Sequence, residues 1–181
     1  MRTGYPQATR WLHWISAAAI IILIPVALTM TRMSDGAPKN ALYEIHKSLG
    51  VIVFLLAALR VCAKLMLGAP SAYAELTPVQ RIASTATHHL LYVLLFAMPI
   101  LGYVGTSMCC APVMLFWSVP LPLTFQGSDR TVEIILTIHT LGGFLMTALI
   151  GIHVAGALYH YAIRKDGVMA RMSLLGRSGF H

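Results

Sequence analysis

Charge is what this chain has least of. Of 181 residues, 13 are Lys or Arg and only 6 are Asp or Glu, 10% in all, against about a quarter in soluble domains. With 57% hydrophobic residues and a mean hydropathy of +0.74, that shortage excludes an ordinary water-soluble domain and indicates a compact integral membrane protein. Cysteine is scarce too. Cys62, Cys109 and Cys110 cannot form a disulfide framework, and a bond between adjacent Cys109 and Cys110 would close a strained ring. All three are read as packing thiols, with a redox-sensitive pair as the alternative. The net charge of +7 does not point to nucleic acid, because the basic residues are dispersed between apolar segments instead of gathered on one surface. No long-period repeat and no soluble domain is visible. The N-terminal stretch MRTGYPQATRWLHWISAAAIIILIPVALTM has a basic start and an apolar run. That run is too long for a signal peptide and no small-x-small cleavage site follows it, so it reads as a retained first span.

What is present is four apolar stretches long enough to cross a bilayer, approximately residues 11–31, 43–67, 84–108 and 131–162, since about 20 residues suffice for a helix. Strands are improbable, because a lone hairpin leaves backbone groups unsatisfied in lipid. The expected fold is all-α, an integral membrane four-helix bundle forming a single domain over residues 1–181. The third link, CCAPVMLFWSVPLPLTFQGSD, is apolar enough to lie partly at the interface. Pro25 and Pro99 fall inside spans and mark bends. Arg2, Arg10, Arg60, Lys64, Arg81, Arg164, Lys165, Arg171 and Arg177 fall on one side of the bundle, against Arg32, Lys39, Lys47 and Arg130 on the other. The positive-inside rule then places both termini in the cytoplasm.

The histidines carry the chemistry. His139, His153 and His160 share one span. At about 100° per residue, His139 and His153 fall within roughly 40° of one another around the axis and about 21 Å apart along it. Depth sorts the histidines into two pairs: His13 with His153 at the cytoplasmic end, and His46 with His139 at the outer end. Two imidazoles from opposed helices are what a six-coordinate haem iron needs. Small residues follow each one a turn later, namely Ser16 and Ala17, Gly50, Gly142 and Gly143, and Gly156. A flat macrocycle needs that clearance, whereas zinc more often recruits Cys or carboxylate partners. Close helix packing is the plainer use of such residues. His88 and His89 open the third span, and only one can face the interior. His88 and His160 are candidates for proton exchange beside a quinone, the plainer alternative being interfacial histidines without a task. Terminal His181 is uninformative. Arg10, Arg60, Lys64 and Arg164 are available to the propionates of an inner haem, and Lys47, Arg32, Lys39 or Arg130 to those of an outer one, with Lys47 best placed. A basic outer rim would also attract a small anion such as superoxide.

The segments RWLHWISA, YEIHKSLGVIVFLLAALRVCAKL, HHLLYVLLFAMPILGY and IHTLGGFLMTALIGIHVAGALYHYAIRKDGVMARM resemble the bacterial cytochrome b561 family over nearly the whole chain. That resemblance implies a four-helix protein of the bacterial inner membrane with two b-type haems. It carries ligation onto His13, His46, His139 and His153, and places His88, His160 and the RKDGVMARM segment near a cytoplasmic quinone side. It further implies electron transport between a periplasmic partner, superoxide in some members, and ubiquinone. The loop from Cys109 to Phe125 departs from the family pattern. Two other classes compete: a haem-bearing anchor subunit of a hydrogenase- or dehydrogenase-type complex, and a metal-ion transporter. The short outer loops disfavour the first, and the lack of a membrane-embedded Asp or Glu disfavours the second.

Overall fold

The computed structural model describes residues 4–70, 76–110, 113–122 and 125–174. Arg2, Arg177 and His181, which entered the sequence reading, lie outside the described residues. Four long helices follow one another: α1 (Gln7–Met30), α2 (Ala37–Leu67), α3 (Pro78–Cys110) and α4 (Asp129–Tyr159). All four are long and apolar enough to cross a membrane. With about 1.5 Å rise per residue, even the 24 residues of α1 exceed a hydrocarbon core of roughly 30 Å. The chain is an all-α, multi-pass membrane protein.

The helices begin a few residues before the expected spans, and at α3 and α4 polar residues cap the start. At α3, the Gln80 amide N–H donates to Thr77 Oγ1 (3.3 Å) while the Thr77 amide donates to Gln80 Oε1 (3.1 Å). This reciprocal box is followed by Pro78 at the first helical position, where a missing N–H costs nothing. At α4, Ser128 Oγ accepts from the Thr131 amide at 3.2 Å, and Asp129 lies in the first turn, where the helix dipole favours an anion. Gly68 ends α2 with φ +74°, its amide on the Lys64 carbonyl. That left-handed stop suits glycine.

Within the bundle α1 packs on α2, α3 on α4, and α2 on α3. The buried centre is Val53 and Ala57 of α2, Leu95 and Met98 of α3, and Met146 of α4, with Ala19, Ile20 and Leu23 of α1 against it. Large apolar residues such as Ile21, Leu55 and Phe144 point outwards, as they should where the surroundings are lipid. In lipid, close approach comes from small residues. A Cβ on Gly105 would lie 2.6 Å from Leu136, and one on Gly142 2.6 Å from the Met98 sulfur. These two glycines therefore seal the α3–α4 seam.

Two expectations are corrected between α3 and α4. The loop contains a minimal antiparallel pair, β1 (Met114–Leu115) and β2 (Val119–Pro120). It stands outside the helices and is seated by the Phe116 amide on Oγ of fully buried Ser48 (2.8 Å). Its Ser118 and Leu121 amides donate to the Leu115 and Val113 carbonyls (3.1 and 2.9 Å), and as a pair outside the spans it does not meet the objection to strands in lipid. Cys109 and Cys110 are joined as a disulfide rather than left as thiols, their sulfurs being brought together at the end of α3. Cys62 is free.

At the other end, the two described termini meet. Arg10 donates to the Ser173 carbonyl (2.6 Å), Trp14 Nε1 to the Met172 carbonyl (2.8 Å) and the Tyr5 amide to the Arg171 carbonyl (3.2 Å). The segment after α4 is thereby strapped across the start of α1.

Candidate haem sites

The histidines paired by depth are also paired in space. The ring centroids of His13 (α1) and His153 (α4) are 6.1 Å apart, and those of His46 (α2) and His139 (α4) are likewise 6.1 Å apart. An ion clasped between two imidazoles, with metal–nitrogen bonds of about 2 Å and a ring radius of about 1 Å at each end, separates the centroids by roughly 6 Å. Both pairs have that separation. The angles between ring planes are 69° and 79°, so neither pair is stacked, as two axial ligands of one iron need not be. Among the described residues no three His, Cys, Asp or Glu side chains gather into a metal cluster. The donor set is two imidazoles per site, which suits haem.

At the outer pair the surroundings support this. His139 Nδ1 lies 3.0 Å from the Met98 carbonyl, which can only accept. The proton is then on Nδ1, and Nε2 keeps a lone pair for a metal, the arrangement that ligating histidines use. His46 Nδ1 is buried without a hydrogen-bond partner, and the Leu23 carbonyl lies beside the ring. An apolar cavity of about 180 Å³ joins the two rings, lined among others by Leu23, Gly50, Val53, Met98 and Gly143. A Cβ on Gly50 would meet nothing within 4 Å, and one on Gly143 would meet only the Met98 methyl at 3.7 Å. Those two expected cradle glycines border open space. Gly142, by contrast, packs against α3. The cavity is smaller than the roughly 300–1,000 Å³ of ordinary ligand pockets. Of the helices that line it, α1 and α4 have little direct contact.

At the inner pair, Arg60 Nη2 lies 3.4 Å from His13 Nδ1. Arginine only donates, so this contact makes Nδ1 an acceptor, the reverse of His139. Arg60 and Lys64 also lie over the Tyr92 ring, 5.1 and 5.7 Å from its centroid. Two cations on one ring beside a histidine pair suit an anionic group such as a propionate. His88 packs against His153, with centroids 5.1 Å apart. Both members of the doublet turn Nδ1 to the carbonyl four residues back, His88 to Ser84 (2.6 Å) and His89 to Thr85 (2.7 Å), but the ring contact with His153 is made by His88. Hence His88 is the member of that doublet facing the site.

Other candidates are placed elsewhere. Arg10 is engaged by the C-terminal strap. Lys47 is ion-paired with Glu44 on the same helix, both largely buried. That corrects one expectation: an acidic residue does sit within the α2 span. Lys39 pairs with Asp35 at 2.8 Å. His160, expected on the His139–His153 stripe, is bonded through Nδ1 to Asp166 at 2.6 Å. Sequence reasoning missed Asp166, as well as Gly102, where a Cβ would come within 2.9 Å of the His139 ring.

Comparison with known proteins gives a consistent picture. The family described as prokaryotic cytochrome b561 matches residues 4–173. The chain is 30% identical over 168 residues to cytochrome b561 homolog 2 of Escherichia coli (strain K12), covering 92% of this chain and 88% of that one. It is 26% identical over 172 residues to cytochrome b561 homolog 1 of the same organism, covering 90% and 92%. It is 23% identical over 164 residues to a probable superoxide oxidase, CybB, of Yersinia pestis, covering 89% and 90%.

Proposed function

The chain belongs to the prokaryotic cytochrome b561 family, a membrane cytochrome b, and from that membership we propose that it holds two b haems and carries electrons across the bacterial inner membrane. One haem is held by His46 and His139, the other by His13 and His153. The observation that carries this reading is the equal 6.1 Å separation of both imidazole pairs at opposite ends of one bundle. Haem iron with two imidazole ligands supplies one-electron redox chemistry.

The protein's own residues do the rest. Met98 fixes the tautomer of His139, while Gly50 and Gly143 clear a face for the macrocycle. At the inner site Arg60 and Lys64 are the cations that would pair with haem propionates, and Arg60 would then leave His13 Nδ1. The basic end, where the two termini meet, faces the cytoplasm under the positive-inside rule. Electrons enter from a periplasmic donor and leave at this end to the quinone pool, where His88 and His160 exchange protons. Superoxide is the donor suggested by the Yersinia relative's name. The outer rim favours an anion only modestly, because Lys39 and Lys47 are ion-paired and the described loop residues 113–122 and 125–128 carry no charge.

The test is a reduced-minus-oxidised spectrum with pyridine-haemochrome quantification on wild type, His46→Ala and His153→Ala. Two b haems per chain are expected, each variant retaining a different one. A colourless protein, or one haem indifferent to either substitution, would refute the pairing.

A further inference from the structure

Building on the reading that electrons leave to a quinone, we propose that Asp166 is a positioning residue that aims His160 as the proton-exchanging group for the quinone oxygens. Residues six apart on a continuing α-helix sit about 240° apart around the axis and do not meet. These two meet because the helix does not continue. After Tyr159 the chain widens into a π-turn, His160–Arg164. Lys165 then adopts a left-handed conformation (φ 51°), and Gly167 follows at φ 78°. Left-handed backbone is uncommon for lysine, and π-turns gather at functional sites. Together they fold the Asp166 carboxylate back onto the helix end.

There the side chain of Asp166 is 3% exposed. It accepts from His160 Nδ1 (2.6 Å), Arg164 Nε (3.2 Å) and the Val168 amide (3.2 Å). An ionised carboxylate only accepts, so the imidazole proton stays on Nδ1 and Nε2 faces away with its lone pair. An aspartate orienting a catalytic histidine works in this way. Arg164 reaches Gln80 Oε1 on α3 at 3.3 Å, tying the turn to that helix's cap. The groups around the pair include Arg164, the Tyr159 ring at 5.6 Å and, through Arg164, Gln80. His160 lies seven residues beyond His153, about 10 Å along the axis.

The reaction balances as follows. A quinone becomes a quinol by gaining two electrons, delivered singly through the family's b haem, and two protons, one on each carbonyl oxygen. For each proton, His160 Nε2 first takes a proton from the aqueous side, giving a transient imidazolium that the Asp166 carboxylate stabilises. Its Nε2–H bond then breaks as the quinone O–H bond forms, which returns the neutral Nδ1–H imidazole.

Reduced holoprotein is reoxidised with a short-chain ubiquinone or with hexacyanoferrate(III), which takes an electron and no proton. Asp166→Ala is expected to slow the quinone reaction at least about tenfold and to move its high-pH fall-off to lower pH. The hexacyanoferrate rate and the haem spectrum stay unchanged, and Asp166→Glu restores most of the quinone rate. Nitrogen-15 NMR of the reduced holoprotein should show one His160 tautomer in wild type and a mixture in Asp166→Ala. Equal quinone rates in wild type and Asp166→Ala, equal slowing with both oxidants, or no rescue by Asp166→Glu would overturn the assignment. If Asp166→Ala loses haem, His160→Gln, which still donates to the carboxylate, must show the selective quinone defect, and a wild-type rate would refute the proposal. A wild-type protein that reduces hexacyanoferrate but never quinone overturns the quinone reading itself.

Discussion

At the scale of single residues, the outer site depends on where a side chain is missing. His139 is held from one side by the Met98 carbonyl and has Gly102 of the same helix α3 beneath it, where an added carbon would lie 2.9 Å from Cε1 and 3.2 Å from Nδ1. A ring already fixed by a hydrogen bond cannot swing away freely. Gly102→Ala should therefore displace His139 at an overpacking cost of about 1–3 kcal/mol. The expected result is outer-haem retention weakened on the order of tenfold or more, with the inner haem intact, read by haemochrome titration. Gly50→Ala makes a contrast, since its carbon meets no protein atom. It should leave helix packing unchanged and lower haem retention through the macrocycle alone. Equal, full haem content in both variants would count against haem on this face.

At the scale of elements, the segment after α4 depends on one carboxylate. Burial raises the Asp166 pKa, but the hydrogen bonds from His160 and the Val168 amide and the charges of His160 and Arg164 outweigh it and hold the group below its ordinary value. A carboxyl depressed on folding stabilises the fold above the ordinary carboxylate pKa of about 3.9 and loses that contribution as pH falls through the lower, folded value. Hydrogen exchange corrected for intrinsic rates should show residues 165–171 protected at pH 6 and loosened near pH 3, ahead of the α2 centre. Uniform behaviour of both regions across that range would mean that the carboxylate does not hold the turn.

At the scale of the whole molecule, the bundle is two helical hairpins, α1–α2 and α3–α4, joined along α2 and α3. The histidine pairs bridge the sides that the helices leave open: His13 to His153 joins α1 with α4, and His46 to His139 joins α2 with α4. Bound haem would then act as core. A ligand at a thousand times its dissociation constant stabilises a fold by about 4 kcal/mol, so protein produced without haem should unfold at a distinctly lower temperature. Its extra hydrogen exchange should fall on the facing sides of α1 and α4 and spare the glycine-sealed α3–α4 seam. A haem-free protein with the same melting temperature and exchange pattern would contradict that role.

Much of this was determined by the sequence alone. The number of spans follows from apolar length against bilayer thickness. The sorting of four histidines into two depths follows from a constant rise per residue. Each is a local rule that needs no knowledge of neighbours. Tertiary structure decided the rest, because it turns on which way a helix faces and where the chain goes once the helix stops. Whether His88 or His89 meets His153 is a question of rotation about an axis. The Glu44–Lys47 pairing, the joined Cys109 and Cys110, and the seat of Phe116 on Ser48 depend on packing at helix ends. Asp166 reaches His160 only because a π-turn and a left-handed lysine reverse the chain, and no periodicity in the residues announces that reversal.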